Sequence, residues 1–343
     1  MSKKEKLDYL GVSAFAESMA MMIQSGVSTE EALILLKQEG SHGVLSEALD
    51  AMAKEIEEGY PLETAMRNTG IFPEYALEMV KAGERTGGLE NVMRHLADYY
   101  QNEKDISDKL RSAVIYPASM IAMIIVVLFI MLRMVLPAFS DVYQNLSASS
   151  RGYISFAYTL CRSLLGIMIV LVLAVICGLL MWNSSKRESV EKVLRKVPVF
   201  ASILDDMGKF RFTSAFEIYL ASGEMQDDAL LDSIKLVNCT PVEEKLNKCV
   251  SIMEEGHGFA YAANEVELYE PIYGRMLVPA ERSGNIENIL KRLVSLLKED
   301  ISQSVAQVVN TVEPLLSGIL MISIGLILIS LMLPLIGMMN SIG

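Results

Sequence analysis

The sequence predicts an all-α polytopic membrane protein with two repeated cytoplasmic helical-bundle domains and three transmembrane helices. Three observations lead there. Hydrophobic residues make up 52% of the 343-residue chain and 21% are charged, a mixture that suits solvated domains joined to membrane segments. Three stretches are long and apolar enough to cross a bilayer. The chain also repeats itself at one constant offset of 197 residues.

The spans divide the chain. Residues 1–114 form a first cytoplasmic domain and 115–139 a first transmembrane helix, PASMIAMIIVVLFIMLRMVL with its flanks. Residues 140–163 form an extracytoplasmic loop and 164–182 a second transmembrane helix. A second cytoplasmic domain follows over 183–312, and a third transmembrane helix over 313–339. Arg133 is the one charge inside the apolar runs 117–136, 164–182 and 314–338. At the bilayer centre it would cost roughly 2.5–3.5 kcal/mol. Its place near the far end of the first span, about 24 Å along the helix from Pro117, lets it snorkel; a functional buried charge is the alternative. Lys104, Lys109 and Arg111 precede the first span, and Lys186, Arg187, Lys192, Arg195 and Lys196 follow the second. The positive-inside rule therefore puts both large polar regions in the cytoplasm. The N-terminus carries positive charge with no apolar run behind it, so no cleavable signal peptide is expected.

The offset aligns Ser25-Gly26 with Ser222-Gly223 and Glu57-Glu58-Gly59 with Glu254-Glu255-Gly256. It aligns Glu84-Arg85 with Glu281-Arg282, Gly87 with Gly284, and Pro117 with Pro314. Without a gap it covers about 13–139 against 210–336. Each unit is a bundle followed by a membrane helix. The first unit ends outside and the second begins inside, so a return crossing is needed, and 164–182 supplies it.

Within a unit every segment reads as helix. Phe15, Met19, Met22 and Ile23 share a face, and Gly26 ends that helix. Ser28 and Glu31 have the spacing of a capping box. Leu45, Leu49, Met52 and Ile56 form the next stripe, ended by Gly59. PLETAMRNTG and PEYALEMVKAGE each begin with a proline suited to a first turn. Leu89, Val92, Met93, Leu96 and Tyr100 then line a helix that continues into the membrane, with Pro117 or Pro314 marking a bend at the entrance.

The phrase GERTGGL at 83–89 returns as AERSGNI at 280–286. Gly87 or Gly284 can end one helix and start another. Thr86 or Ser283 can offer a hydroxyl to the next helix's free amides, and Glu90 or Glu287 suits its first turn. A turn does not require Glu84-Arg85. That pair implies an internal ion pair or helix-end contact, or else a contact to a partner or cation.

No residue pattern points to catalysis. His42, His95 and His257 are scattered and lack metal-ligand spacing, and there is no phosphate-binding loop or nucleophile elbow. Glu57-Glu58 and Glu254-Glu255 read as solvated helix ends. The four cysteines show no paired spacing, and Cys177 lies in an apolar run. A net charge of −12 argues against direct nucleic-acid binding. Neither a cofactor nor a metal is expected. Glu313 is the oddity. It stands beside Pro314 at the membrane entrance, where the other copy has Tyr116. It is either a water-facing interfacial carboxylate or a helix or partner contact.

The motifs SGV…EAL, GYPLETAM, IFPEY…MVKAGERTGGLE and the Pro-led membrane helix resemble the type II secretion system F-domain family. The Glu313-Pro314 pair matches the family's Glu-Pro before its last span. The residues carrying the resemblance are Gly26, Gly59, Gly83, Glu84, Arg85, Gly87 and Pro117 in the first copy. In the second they are Gly223, Gly256, Glu281, Arg282, Gly284, Glu313 and Pro314. Ala280 stands for Gly83 and Asn285 for Gly88, so equal roles for the two corners do not follow from the resemblance. The stretch before the first repeat is shorter than in many members, as in the forms from Gram-positive competence and pilus systems.

The resemblance implies a non-enzymatic inner-membrane platform of a type IV filament assembly machine. It implies a hexameric assembly ATPase, pilins or pseudopilins, other inner-membrane assembly proteins and membrane lipid as partners, and a homo-oligomer. Two competing readings are a membrane signalling or assembly scaffold unrelated to filaments and a small-solute transporter. The spans offer little polarity beyond Ser and Gly for transport.

Overall fold

A computed structural model describes residues 6–38, 44–138, 155, 156, 158–170, 172, 173, 195, 198–237 and 239–342. Every regular element among them is helical. The first repeat holds α1 (Tyr9–Gln24), α2 (Thr29–Gln38), α3 (Val44–Glu57), α4 (Leu62–Thr69), α5 (Glu74–Thr86) and α6 (Leu89–Ile130). A π-helical turn, Met131–Val135, continues α6 and carries the exposed Arg133. A short apolar helix, α7, runs over Tyr158–Val170. The second repeat then gives the same order: α8 (Pro198–Ala221), α9 (Gln226–Ile234), α10 (Thr240–Glu254), α11 (Phe259–Glu265), α12 (Pro271–Arg282) and α13 (Ile286–Ile342).

The chain divides into two compact units. One joins Met1–Asp108 with Ser202–Gln303, and the other joins Lys109–Ala201 with Ser304–Gly343. The first unit therefore contains the bundles of both repeats. In the second unit Ile121, Ile124 and Leu128 of α6 cluster with Cys161 and Met168 of α7 and Leu316 of α13. Among the described residues two helices, Leu89–Ala138 and Ile286–Ile322, are long and apolar enough to cross a membrane. The span expected over 164–182 leaves the described residues after Leu173, and Cys177 lies outside them. So do residues 140–154 of the expected loop and 183–194 of the second domain.

Local sequence explains the helix boundaries. Asp8 caps α1 by accepting from Gly11 N at 2.9 Å, and Ser28 Oγ caps α2 by accepting from Glu31 N at 3.2 Å. The stripes read from the sequence face inward: Phe15, Met19, Leu49 and Met52 are buried in the first bundle. The second bundle fills the same place with aromatics. Phe216 sits 4.6 Å from Phe259 and 5.6 Å from Phe212, centroid to centroid, and all three are fully buried. Pro117 and Pro314 both lie within continuous helix.

The repeats differ where α4 and α11 end. Gly70 closes α4 in the left-handed conformation at φ 72°. Its equivalent is Glu267, which holds φ 50° with a full side chain. That conformation costs an L-residue about 1–2 kcal/mol. Glu267→Gly is expected to raise stability by roughly 0.5–1 kcal/mol once the greater chain entropy of glycine is counted. Denaturant unfolding of the detergent-purified protein reads the change; a loss of stability would mean that the side chain itself holds the turn.

Burial also sets the alkaline limit of the bundles. It pushes the Cys249 thiol up to about 12, and it raises the phenols of Tyr75, Tyr219 and Tyr269 above their ordinary value. These groups hold their protons more tightly when folded than when unfolded. Stability is therefore unaffected at neutral pH and falls once pH exceeds the unfolded values, from about 9 upward. Thermal midpoints measured from pH 7 to 11 should stay level and then drop, and a level midpoint throughout would contradict the burial of these side chains.

Candidate functional site: the paired Glu-Arg corners and the seam between repeats

Helices α4 and α11 begin without a side-chain cap. The residue before α4 is Pro61 and the one before α11 is Gly258, and neither has a side-chain acceptor. The repeated glutamates fill both gaps. Glu84 reaches from α5 and accepts from Leu62 N at 2.5 Å and Glu63 N at 3.0 Å, one bond to each oxygen. Glu281 reaches from α12 and accepts from Ala260 N at 3.2 Å and the Gln226 side-chain amide at 2.9 Å. Glu63 and Ala260 are equivalent positions, so each carboxylate meets the same backbone amide of its own repeat. A negative group at a helix N-terminus also meets the positive end of the helix dipole. Gly258 leaves room for the Glu281 carboxylate, because a Cβ there would collide with it.

The glycines of the repeated motifs serve the turns. Gly26, Gly59 and Gly87, with their equivalents Gly223, Gly256 and Gly284, all have positive φ between 69° and 95°. Gly83 acts through close packing instead. A Cβ on it would stand 2.9 Å from Val92 Cγ2 and 3.2 Å from Leu89 Cα, so α5 and α6 cross there at short range. Ala280 occupies the equivalent position and is buried.

The hydroxyls of Thr86 and Ser283 do not cap the following helices, contrary to the sequence expectation. Thr86 Oγ1 donates to Ala82 O at 3.0 Å, and Ser283 Oγ donates to Ala280 O at 3.0 Å. Both residues close the preceding helix. The reason is local: a hydroxyl in the last turn lies over the carbonyl three or four residues back.

The arginines diverge. Arg85 crosses to the second repeat, where it forms an ion pair with the buried Glu224 and lies 3.8 Å from Asp232. Arg282 is exposed and forms no ion pair among the described residues. Arg85 opens a seam along α6 and α8 that the sequence analysis missed. His95 Nδ1 lies 3.0 Å from Glu217 Oε1, and Tyr99 stacks on Phe210 at 5.8 Å. Glu103 accepts from Arg211 Nε at 3.1 Å and from the Tyr99 hydroxyl at 3.0 Å. Burial is the largest single influence on Arg211 and would lower its pKa, but the charge and hydrogen bond of Glu103, with Tyr99 and Tyr9, together raise it above its ordinary value. Lys298 of α13 donates to Asn102 at 2.7 Å and Asp105 at 2.6 Å. One signal for this seam lay in the sequence. Glu217, Glu224 and Arg211 are charged where the first repeat has Ala20, Val27 and Ala14.

In the second unit the Tyr116 hydroxyl donates to Glu313 Oε1 at 2.8 Å. These are equivalent positions of the two repeats, beside Pro117 and Pro314. Among the described residues no group of three or more His, Cys, Asp or Glu side chains could hold a metal ion.

Glu84→Ala removes both acceptors from α4 and is expected to cost about 1–2 kcal/mol. Glu84→Gln keeps one acceptor oxygen and should cost less. Chemical denaturation of the purified variants reads both, and equal stability of Glu84→Ala and the parent would show that the capping contact contributes nothing. Arg211→Ala strands a buried carboxylate and should cost about 3–5 kcal/mol by the same measurement.

The chain is similar to several assembly proteins along most of its length. It is 23% identical over 326 residues to the type IV pilus assembly protein TapC of Aeromonas hydrophila, covering 92% of this chain and 78% of that protein. It is 22% identical over 324 residues to the type IV pilus assembly protein PilC of Pseudomonas aeruginosa, covering 92% and 86%. It is 24% identical over 317 residues to the type II secretion system protein F of Vibrio cholerae, covering 90% and 78%. The family profile described as type II secretion system (T2SS), protein F matches twice, over residues 15–137 and 212–334, and so accounts for both repeats. The chain therefore belongs to the type II secretion system protein F family, as a tandem duplication of its characteristic unit.

Proposed function

We propose that this protein is the non-enzymatic membrane platform of a type IV filament assembly machine. It would couple a cytoplasmic hexameric ATPase to the insertion of pilins or pseudopilins into the growing filament. The reading rests on membership of the family and on the names of the relatives. The structural observation that carries it is the course of α6 and α13. Each runs without a break from a charged bundle helix into an apolar stretch of membrane-crossing length. A continuous helix is stiff enough to carry a displacement from one end to the other.

In this reading both bundles lie in the cytoplasm, as the basic residues flanking the spans indicate. The chain sits in the cytoplasmic membrane and works as a homo-oligomer beside other inner-membrane assembly proteins. The expected domains carry net charges of −8 (residues 1–114) and −5 (residues 183–312). Such acidic faces suit a basic surface on the ATPase, with charge acting mainly on encounter and specificity. Glu84 and Glu281 keep each bundle in the shape that the ATPase engages.

Deleting the gene is expected to abolish filaments while pilin and ATPase levels persist. The double variant Glu84→Gln with Glu281→Gln should keep its membrane level and lose much of its assembly; normal filaments would end the role given to the corners. Binding of the reconstituted protein to its ATPase should weaken as salt rises. Binding indifferent to salt and to charge reversal would remove the electrostatic part.

A further inference from the structure

The two repeats present the same groove in different states. In the second repeat, the surface of α8 beside α13 is covered by α6 of the first. Tyr99 lies on Phe210, His95 on Glu217, and Lys298 reaches Asn102. Ser214 is 3% exposed and Ile218 1%. The equivalent groove of the first repeat lies between α1 and α6 and is open. Glu17, equivalent to Ser214, is exposed, and Met21, equivalent to Ile218, is 56% exposed.

The covering face is also duplicated. Arg85, His95 and Tyr99 of the first repeat correspond to Arg282, Arg292 and Leu296 of the second. Arg282 and Arg292 are exposed, and neither forms an ion pair among the described residues. The contact within the chain is thus head-to-tail. It uses one face of the first repeat and a different face of the second, and it leaves one of each unmatched.

We propose that the open α1–α6 groove of one copy receives the Arg282–Arg292–Leu296 face of a second copy of this chain. Charge fits the pairing. The groove holds Glu17 and Asp98, which form no ion pair among the described residues, while its Arg94 is already paired with Glu90 at 2.8 Å; the incoming face brings two arginines that form no ion pair among the described residues. Where the seam inside the chain pairs His95 with Glu217, the second copy's Arg292 comes to Glu17, one helical turn from Ala20. The longer arginine spans that turn.

Ser13 bonds to Ala97 O of its own α6, and Phe210, its equivalent, stacks on Tyr99 of the neighbouring repeat. The two heights differ by two residues, about 3 Å along a helix. A head-to-tail contact of this kind closes into a ring where the rotation between copies closes. A ring also keeps every apolar stretch at one membrane depth. The inference rests on both bundles lying on the same side of the membrane, and not on the role in filament assembly.

Two full-length copies with different tags, one carrying Glu17→Cys and the other Arg292→Cys, would be expressed together and oxidised in native membranes. A disulfide-linked band bearing both tags is expected, and it should be lost when either cysteine is omitted. Met21→Cys with Leu296→Cys provides a second pair that leaves the charges in place. If neither pair links the two tags while both variants keep the parent's melting temperature, the contact does not exist. If a single chain carrying both cysteines links only within itself, the groove is filled from its own second repeat and the proposal fails. None of these readouts needs filaments, so a failure here is separate from a failure of the assembly role.

Discussion

A helix N-terminus buried in a bundle must find acceptors for its free amides, and in this protein the acceptor comes from another helix. Pro61 and Gly258 give α4 and α11 no cap of their own, and the carboxylates of Glu84 and Glu281 supply it. The rest of the bundle follows from that contact. It ties the short fourth helix of each repeat to the end of the fifth. The fifth then turns at a left-handed glycine into the long sixth. An acidic side chain placed there is needed for the backbone on the opposite helix rather than for the turn it occupies.

The arginine beside it marks where the two copies part. Arg85 crosses to Glu224 and begins a seam in which buried charges are matched, Glu103 with Arg211 and His95 beside Glu217. Buried pairs of this kind add little net stability compared with apolar packing, but losing one partner is costly. They match α6 to α8 at His95–Glu217 and Glu103–Arg211, on either side of the Tyr99–Phe210 stack along α6. Arg282 keeps the same position in the motif and forms no ion pair among the described residues. A tandem duplication thus became an ordered pair with a distinct first and second member. The apolar unit has its own counterpart, because Tyr116 and Glu313 occupy one repeat position and bond to each other.

Much of this architecture was legible in the sequence. The duplication shows as a constant offset of 197 residues, and the helix order within each unit, the apolar faces and the glycine stops rest on local rules: periodicity, capping and φ preference act over a few residues. The capping box at Ser28 and the buried stripe of Leu49 and Met52 belong to this class. Local reasoning went wrong at Thr86 and Ser283. Such hydroxyls can serve the helix behind or the helix ahead, and the choice depends on the geometry of the last turn.

The sequence by itself determined that the chain is two copies of one helical unit, each ending in an apolar helix, and that Glu84 and Glu281 hold the same position in both. Only the tertiary structure decided what those glutamates touch, which arginine pairs across the repeats, and which groove stays open. The physical reason is distance along the chain. Glu84 meets amides twenty-one and twenty-two residues away, and Glu103 meets Arg211 at a separation of 108 residues. No periodicity carries information over such spans. Two equivalent residues with identical local sequence rules can end in different surroundings, as Arg85 and Arg282 do, because packing of one repeat on the other breaks the symmetry that duplication created.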